Sequence, residues 1–419
     1  MPESSIYNTK ARYGSVAQIL HWITAGLILF LLPLGIFMHE LPYSTSEEIA
    51  YKAWFYSLHK TLGMTVLTVA IIRIIWALVS TKPVPMYSER KLETFAAETI
   101  HWILYVSILL VPLTGYIHHA ASSGFAMIWG PFPDSVAFIP KSEDLSKFTG
   151  VMHWILAMMM AGSIALHIAG ALKHVVIDRD GTLARMIPFL RYMPDQVLTK
   201  HGSHALPIMV AILAFVGAFG LGTILYSSGE QDESASQIAT TESSIADPVQ
   251  PTEELGGNYW IVDHENSTLE ITVTQLNSPV AGKFAKWEAS IQFNPADLGK
   301  ANVSVTIDMN SLTLGGVTKD AKGGDFLDVT NHPTAVFTAT DFSKTETGYL
   351  AKGELELHGV KTPVELPFTL EIVGSEARMS GSTTLNRLDF GIGAKGFADE
   401  KSVNFAVEVS VNIKAEAGE

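Results

Sequence analysis

Two periodicities divide the chain. In the first half, apolar residues run on for about 20 residues at a time, enough for a helix to cross the hydrocarbon of a bilayer. Five such runs stand at roughly Ile19–Met38, Phe55–Val79, Thr99–His118, Val151–Val176 and Leu206–Tyr226. From Asn258 to Lys414 the period changes to two. Leu269, Ile271 and Val273 alternate with polar residues, and so do Val364, Leu366, Phe368, Leu370 and Ile372, and Phe405, Val407, Val409, Val411 and Ile413. Turn residues separate the runs, as at Asn294-Pro295, Gly315-Gly316 and Gly323-Gly324. The pattern predicts about eight antiparallel strands, a number that suits a closed barrel or a sandwich.

Between the two patterns lies SSGEQDESASQIATTESSIADPVQPTEE, Ser227–Glu254. It is acidic, rich in Ser and Thr, and has no hydrophobic repeat, so it reads as a flexible tether. The expected organisation is a membrane domain over 1–205, a fifth span over 206–226, a linker over 227–257 and an all-β domain over 258–419.

Charge sharpens the division. Residues 1–228 carry a net +2 and the remainder −16, out of a total of −14. A nearly neutral membrane part precedes a strongly acidic part, which argues against nucleic acid as a partner. The chain has no cysteine, so disulfides, thiolate metal sites, cysteine catalysis and thioether-linked haem are all excluded. The polar N-terminal stretch shows no signal-peptide pattern before the first span.

Lysine and arginine in the short loops set the expected orientation. Lys10 and Arg12 precede the first span. Lys82, Arg90 and Lys91 join the second to the third, and Lys173, Arg179, Arg185, Arg191 and Lys200 join the fourth to the fifth. The two other loops hold fewer positive charges beside several carboxylates. The N-terminus is therefore expected in the cytoplasm of a bacterial inner-membrane protein, and five crossings place the all-β domain in the periplasm.

Eleven of the fourteen histidines fall within residues 1–228. His153 and His167 share the fourth span, fourteen residues apart. On an α-helix that separation is about 21 Å along the axis, and the two side chains point within about 40° of each other. Ionisable side chains at membrane depth need a reason. Two imidazoles on one stripe, one near each face, suggest two buried cofactors stacked across the bilayer. A six-coordinate haem takes an imidazole on each side of its ring. The expected topology then gives two pairs at matching depth, His21 with His167 on the inner side and His59 with His153 on the outer. His101 lies at the depth of His21 and competes for the inner position, or serves a haem edge or a quinone. His118 and His119 compete for the outer position, although an interfacial histidine also has a water-facing explanation. Arg73 lies fourteen residues past His59. It either snorkels to the cytoplasmic interface or pairs with a propionate of the inner haem.

These residues resemble the bacterial cytochrome b561 family. The resemblance rests on AQILHWITAGLI with His21, SLHKTLGM with His59, HW…LHIAGALKH with His153 and His167, and RDGTLARM at Arg179–Met186, and it covers about Tyr7–Met186. It implies an all-α transmembrane four-helix di-haem bundle, two b-type haems and electron exchange with ubiquinone. Some members of the family oxidise superoxide and pass the electron to quinone. The fifth span lies outside the resemblance.

The all-β part resembles the YceI family of lipocalin-like proteins. The matching stretches include YWIVD, AGKF, FNPADL, DMNSLTLGG, DFLDVTNHPTAVF, GELELHGVKTPVEL and LNRLDFGIG, in order from Tyr259 to Gly393. The resemblance implies an antiparallel barrel holding a polyisoprenoid, such as a quinone tail. Many members carry a histidine in an early strand where this chain has Gln275. Phe284, Phe326, Phe337 and Phe390 are candidate tunnel-lining residues, each equally able to be ordinary core. His264, His332 and His358 are scattered in the sequence, and their spacing suggests no metal cluster.

Overall fold

A computed structural model describes residues 6–10, 12–83, 90–122, 125–187, 204–241 and 259–418. The described residues fall into two compact units. One lies within Met1–Glu40, Phe55–Ala121 and Ile128–Ile245, the other within Leu41–Trp54, Ser122–Met127 and Ala246–Glu419.

The first unit takes in five long helices, apart from residues 46–54 of the second: α1 Ser15–Glu40, α2 Ser46–Val79, α3 Lys91–Ala121, α4 Glu143–Lys173 and α5 Ala205–Thr241. All five contain a stretch long and apolar enough to cross a membrane, and the protein is a multi-pass membrane protein. Several helices begin before the apolar run that announces them. The fourth starts at Glu143, where the Ser142 side chain accepts the Leu145 N–H at 3.2 Å and Glu143 and Asp144 face the positive end of the helix dipole. The fourth helix ends in a π turn, His174–Asp178, closed by Arg179 in the left-handed region (φ 53°). Pro33 and Pro112 lie inside α1 and α3, each removing one backbone donor. The fifth helix runs to Thr241, beyond the expected end of its span. Helix growth costs little once a turn exists, so a formed span propagates into polar residues. The rest of the expected linker, 242–257, lies outside the described residues.

Leu31, Leu34, Val66, Ile108, Ile155 and Leu156 form the centre of the helical unit. Large apolar side chains such as Leu29 and Phe30 on α1, Ile71 and Ile75 on α2, and Leu213 and Phe219 on α5 point outward and are exposed. Hydrocarbon is the solvent that such a surface fits. Among the described residues, α3 and α4 pack closely and α5 lies against both, whereas α1 and α2 make scarcely any close backbone approach to them.

The second unit contains eleven strands: β1 Tyr259–Val262, β2 Thr268–Gln275, β3 Ser278–Phe284, β4 Trp287–Gln292, β5 Asn302–Asp308, β6 Leu312–Thr313, β7 Thr334–Lys344, β8 Tyr349–Leu357, β9 Val360–Val373, β10 Glu376–Asn386 and β11 Val403–Ala417. The pairing order β1-β4-β5-β7-β8-β9-β10-β11 closes through β11 back to β1, giving an eight-stranded antiparallel ring. The other three strands, β2, β3 and β6, branch from β11. The alternation read from the sequence follows the wall. Val364, Leu366, Phe368 and Leu370 of β9 face inward, while Lys361 and Glu365 face out and pair with Glu354 and Lys352 of β8. Phe293 makes edge-to-face contacts with Phe342, Tyr349 and Phe368, at centroid distances of 5.4, 5.4 and 5.8 Å.

One buried cation holds the segment between β10 and β11. Arg387 is 4% exposed. Its guanidinium donates to the carbonyls of Asn404, Ile392, Phe397, Asp399 and Val403 at 2.5–3.1 Å. Burial lowers its pKa, with Asp399 and Glu400 opposing the shift. Gly393, at φ +70°, gives the guanidinium room, because a Cβ there would stand 2.6 Å from Nη1. Arg387→Met leaves these carbonyls without their donor. Losing the donor to several buried carbonyls is expected to cost the barrel about 3 kcal/mol or more. Urea unfolding of the 258–419 fragment checks this, and an unchanged midpoint contradicts it.

Candidate functional site

The helices bring four of the predicted histidines together as two pairs. His59 on α2 faces His153 on α4 with ring centroids 6.2 Å apart, and His21 on α1 faces His167 on α4 at 6.4 Å. Neither distance allows a direct hydrogen bond across the pair, and both suit one metal ion between the rings. A metal–imidazole bond is about 2.0–2.1 Å and a ring nitrogen lies about 1.1 Å from its ring centre, so two axial imidazoles on one iron have centroids about 6.2–6.4 Å apart. The competing inner arrangement, His101 with His167, has a centroid distance of 5.0 Å, too short for an iron between the rings.

The surroundings suit ligand roles. The Nδ1 of His153 donates to the Val111 carbonyl at 2.8 Å, which fixes the ring and leaves Nε2 with a free lone pair. The rings are also seated against glycines. A Cβ at Gly115 on α3 would stand 2.9 Å from two atoms of His153, and one at Gly35 on α1 would stand 3.3 Å from His59. The Nδ1 of His59 is buried without a hydrogen-bond partner among the described residues.

Arg73 comes to the inner pair, its Nη2 3.2 Å from Nδ1 of His21 and its guanidinium over the ring of Tyr105. His101 is exposed and bonds its own helix, with Nδ1 donating to the Ala97 carbonyl at 2.6 Å. The outer competitors have other partners. His118 Nδ1 donates to the Ser146 carbonyl at 2.7 Å. His119 lies between Lys60 Nζ at 3.1 Å and the Asp134 carboxylate at 3.2 Å. The Lys60–His119–Asp134 chain and the two seating glycines were not legible in the sequence. Each depends on which faces of different helices meet.

The barrel encloses an apolar cavity of about 810 Å³. Its size is that of a ligand pocket, commonly about 300–1,000 Å³, and larger than the packing defects left between core side chains. Phe284, Phe326, Phe337 and Phe390 all line it, together with Leu, Val and Ile side chains of the ring. Phe390 is also fully buried, so lining and core are not exclusive here. Gln275 contributes a polar group to this wall. Its Oε1 is buried and has no hydrogen-bond partner among the described residues.

His332 and His358, scattered in the sequence, stand with ring centroids 4.7 Å apart. Pairing of β7 with β8 brings the approach to β7 and the β8–β9 turn to the same rim, a juxtaposition that linear spacing does not show. His264 lies elsewhere, against Trp287.

Comparison with known proteins agrees with this architecture. Residues 12–189 match the prokaryotic cytochrome b561 family, and residues 260–417 match the YceI-like domain family. The chain is 30% identical to cytochrome b561 homolog 2 of Escherichia coli over 186 residues, 44% of this chain and 95% of that protein. It is 31% identical to a UPF0312 protein of Pseudomonas aeruginosa over 137 residues, 30% of this chain and 72% of that one. Among solved structures, Burkholderia cenocepacia BcnA aligns with 37% of this chain and 99% of its own, at 25% identity and a TM-score of 0.36. Five apolar helices with paired histidines, followed by a closed barrel, are thus the two parts of one fusion: the chain belongs to the prokaryotic cytochrome b561 family, membrane electron-transfer proteins that typically bind haem b, and carries a C-terminal YceI-like domain.

Proposed function

We propose that this protein moves electrons between a quinone and two b-type haems, and that its barrel binds an isoprenoid, with the quinone's own tail as the first candidate. The observation that carries the reading is the spacing of the two histidine pairs, 6.2 and 6.4 Å between ring centroids. His59 and His153 would hold the outer haem, His21 and His167 the inner one. Bound haem supplies reversible one-electron chemistry, with a potential set by its axial ligands and their hydrogen bonds.

The chain's own groups would do the positioning. His153 is already in the tautomer a ligand needs, through its bond to Val111. His21 is not: a guanidinium only donates, so the contact with Arg73 makes Nδ1 an acceptor and puts the ring proton on Nε2. Holding a haem through Nε2 would require the proton on Nδ1, and Arg73, no longer able to donate there, would be the residue placed to pair with a propionate.

The same reading orients the protein. Loop lysines and arginines favour a cytoplasmic N-terminus and a periplasmic barrel. The covalent connection keeps the barrel at the membrane and raises its effective concentration there. The apolar cavity with one unpartnered amide oxygen suits a long hydrocarbon whose polar end carries a donor. The cavity also favours a second reading, in which the barrel carries an isoprenoid and the cytochrome serves as its anchor and redox sensor.

Haem counted per purified chain by pyridine haemochrome tests the ligand assignment. Wild type is expected to hold two, and His59→Ala, His153→Ala, His21→Ala or His167→Ala each about one, because each removes an axial bond from a single site. His101→Ala is expected to keep both. Loss of a haem in His101→Ala but not in His21→Ala overturns the inner pair. For the barrel, native mass spectrometry of the 258–419 fragment should show a copurifying isoprenoid. Val305→Trp, which fills the cavity from β5, should lower its occupancy about fivefold or more, since overfilled apolar space is costly. An empty wild-type barrel, or undiminished occupancy in the variant, contradicts the reading.

A further inference from the structure

The histidines brought together at the rim of the barrel have a third neighbour. One carboxylate oxygen of Asp328 and one ring nitrogen each of His332 and His358 all lie within 4.8 Å of one another. We propose that Asp328, His332 and His358 form a binding site for a divalent first-row transition-metal ion, with three protein ligands and at least one open coordination position.

The backbone builds this cluster. The His332 N–H donates to the Asp328 carbonyl at 2.8 Å, closing one helix-like turn that sets the two side chains side by side. His358 and Gly359, at φ +55° and +74°, make the tight two-residue connection between β8 and β9. Asp328 is itself in the left-handed region, at φ +43°. Two of the three candidate ligands therefore occupy backbone conformations that non-glycine residues seldom adopt, and their surroundings hold them there.

The groups around the ligands are arranged as metal sites require. The Nδ1 of His358 donates to the Phe390 carbonyl at 3.1 Å, which leaves Nε2 as the free lone pair and fixes the ring plane. The Asn331 side-chain amide donates to Oδ2 of Asp328 at 2.8 Å, orienting the carboxylate, and Oδ1 has no hydrogen-bond partner among the described residues. No hydrogen bond of the His332 ring is found among the described residues. All three side chains are half-buried, so an ion has access. Bonds of about 2.0–2.2 Å place tetrahedral ligand atoms about 3.3–3.6 Å apart, so the three groups, within 4.8 Å of one another, need only a small approach to hold an ion. Two imidazoles and one carboxylate favour zinc, iron, nickel or copper over calcium and magnesium, which take oxygen ligands.

The other cluster of this composition, His174, Asp178 and Asp180, has a simpler explanation. Asp178 there is neutralised by Arg90 at 2.9 Å and Lys173 at 3.0 Å, and it carries no metal proposal. The rim site adjoins the apolar cavity: Leu327, Leu357 and Phe390, which line that cavity, are neighbours in sequence or hydrogen-bonded partners of the three ligands. An ion there would cross-link the loop before β7 to the β8–β9 turn and brace that wall.

Equilibrium dialysis of the full haem-loaded chain in detergent, washed with chelator and then exposed to micromolar zinc, tests the site. Zinc and iron are counted together by mass spectrometry. One zinc per chain is expected. Asp328→Asn and His358→Asn should each weaken binding about tenfold or more, and asparagine keeps the left-handed backbone available. His174→Ala should bind as wild type. Zinc should also raise the barrel's unfolding midpoint in wild type and not in the two rim variants, because a ligand of the folded state stabilises by mass action. No binding below millimolar zinc, equal affinity in the rim variants, or loss of the bound zinc in His174→Ala overturns the proposal. None of these readouts depends on electron transfer or isoprenoid binding.

Discussion

The membrane half depends on one constraint: α4 presents His153 and His167 on a single stripe, about four turns apart. That pitch sets the two imidazoles at two heights, and the proposed di-haem arrangement needs a second imidazole from another helix at each. The sequence supplies His59 at one and His21 at the other, at centroid distances of 6.2 and 6.4 Å. Glycines at positions 35 and 115 occur where a larger residue would press on a ring. The fifth helix packs on the outside of α3 and α4 and contributes no histidine to either pair. In the proposed topology it reverses the side on which the chain leaves the membrane.

In the barrel, the corresponding constraint is closure. Eight strands joined in a ring leave an interior whose filling depends on the inward side chains. Here Ala339, Ala351 and Ala377 stand at inward or buried positions alongside large aromatics, and the remaining space is a cavity of about 810 Å³. The short β1 closes the ring by pairing with both β4 and β11. Arg387 fastens the long β10–β11 connection through five carbonyls, so the segment over 391–402 is held without regular structure of its own.

How much of this the sequence revealed follows from which forces act locally. Spans were legible because a bilayer demands an unbroken apolar run, and strands because burial of one face imposes a period of two on neighbouring residues. The histidine pairs were legible because a membrane adds depth as a coordinate, and depth can be counted along a helix. The choice between His21 and His101 was not, because it depends on rotation about the helix axis, and only the 5.0 Å approach of His101 to His167 separates them. The ring has the eight strands expected, and β2, β3 and β6 continue its wall from β11, with Gln275 and Phe284 among the cavity-lining residues. The meeting of Asp328, His332 and His358 was hidden for the reason that strand pairing usually hides contacts: residues 26 positions apart are joined by a hairpin register that no local pattern encodes.

The account places quinone chemistry on two haems held at two depths, and a potentiometric titration of the haem spectrum tests that most directly. Performed on the purified full chain, the titration is predicted to resolve two b-type components of comparable amplitude, and a short-chain ubiquinol is predicted to reduce them. A single component, or two that no quinol reduces, would contradict it.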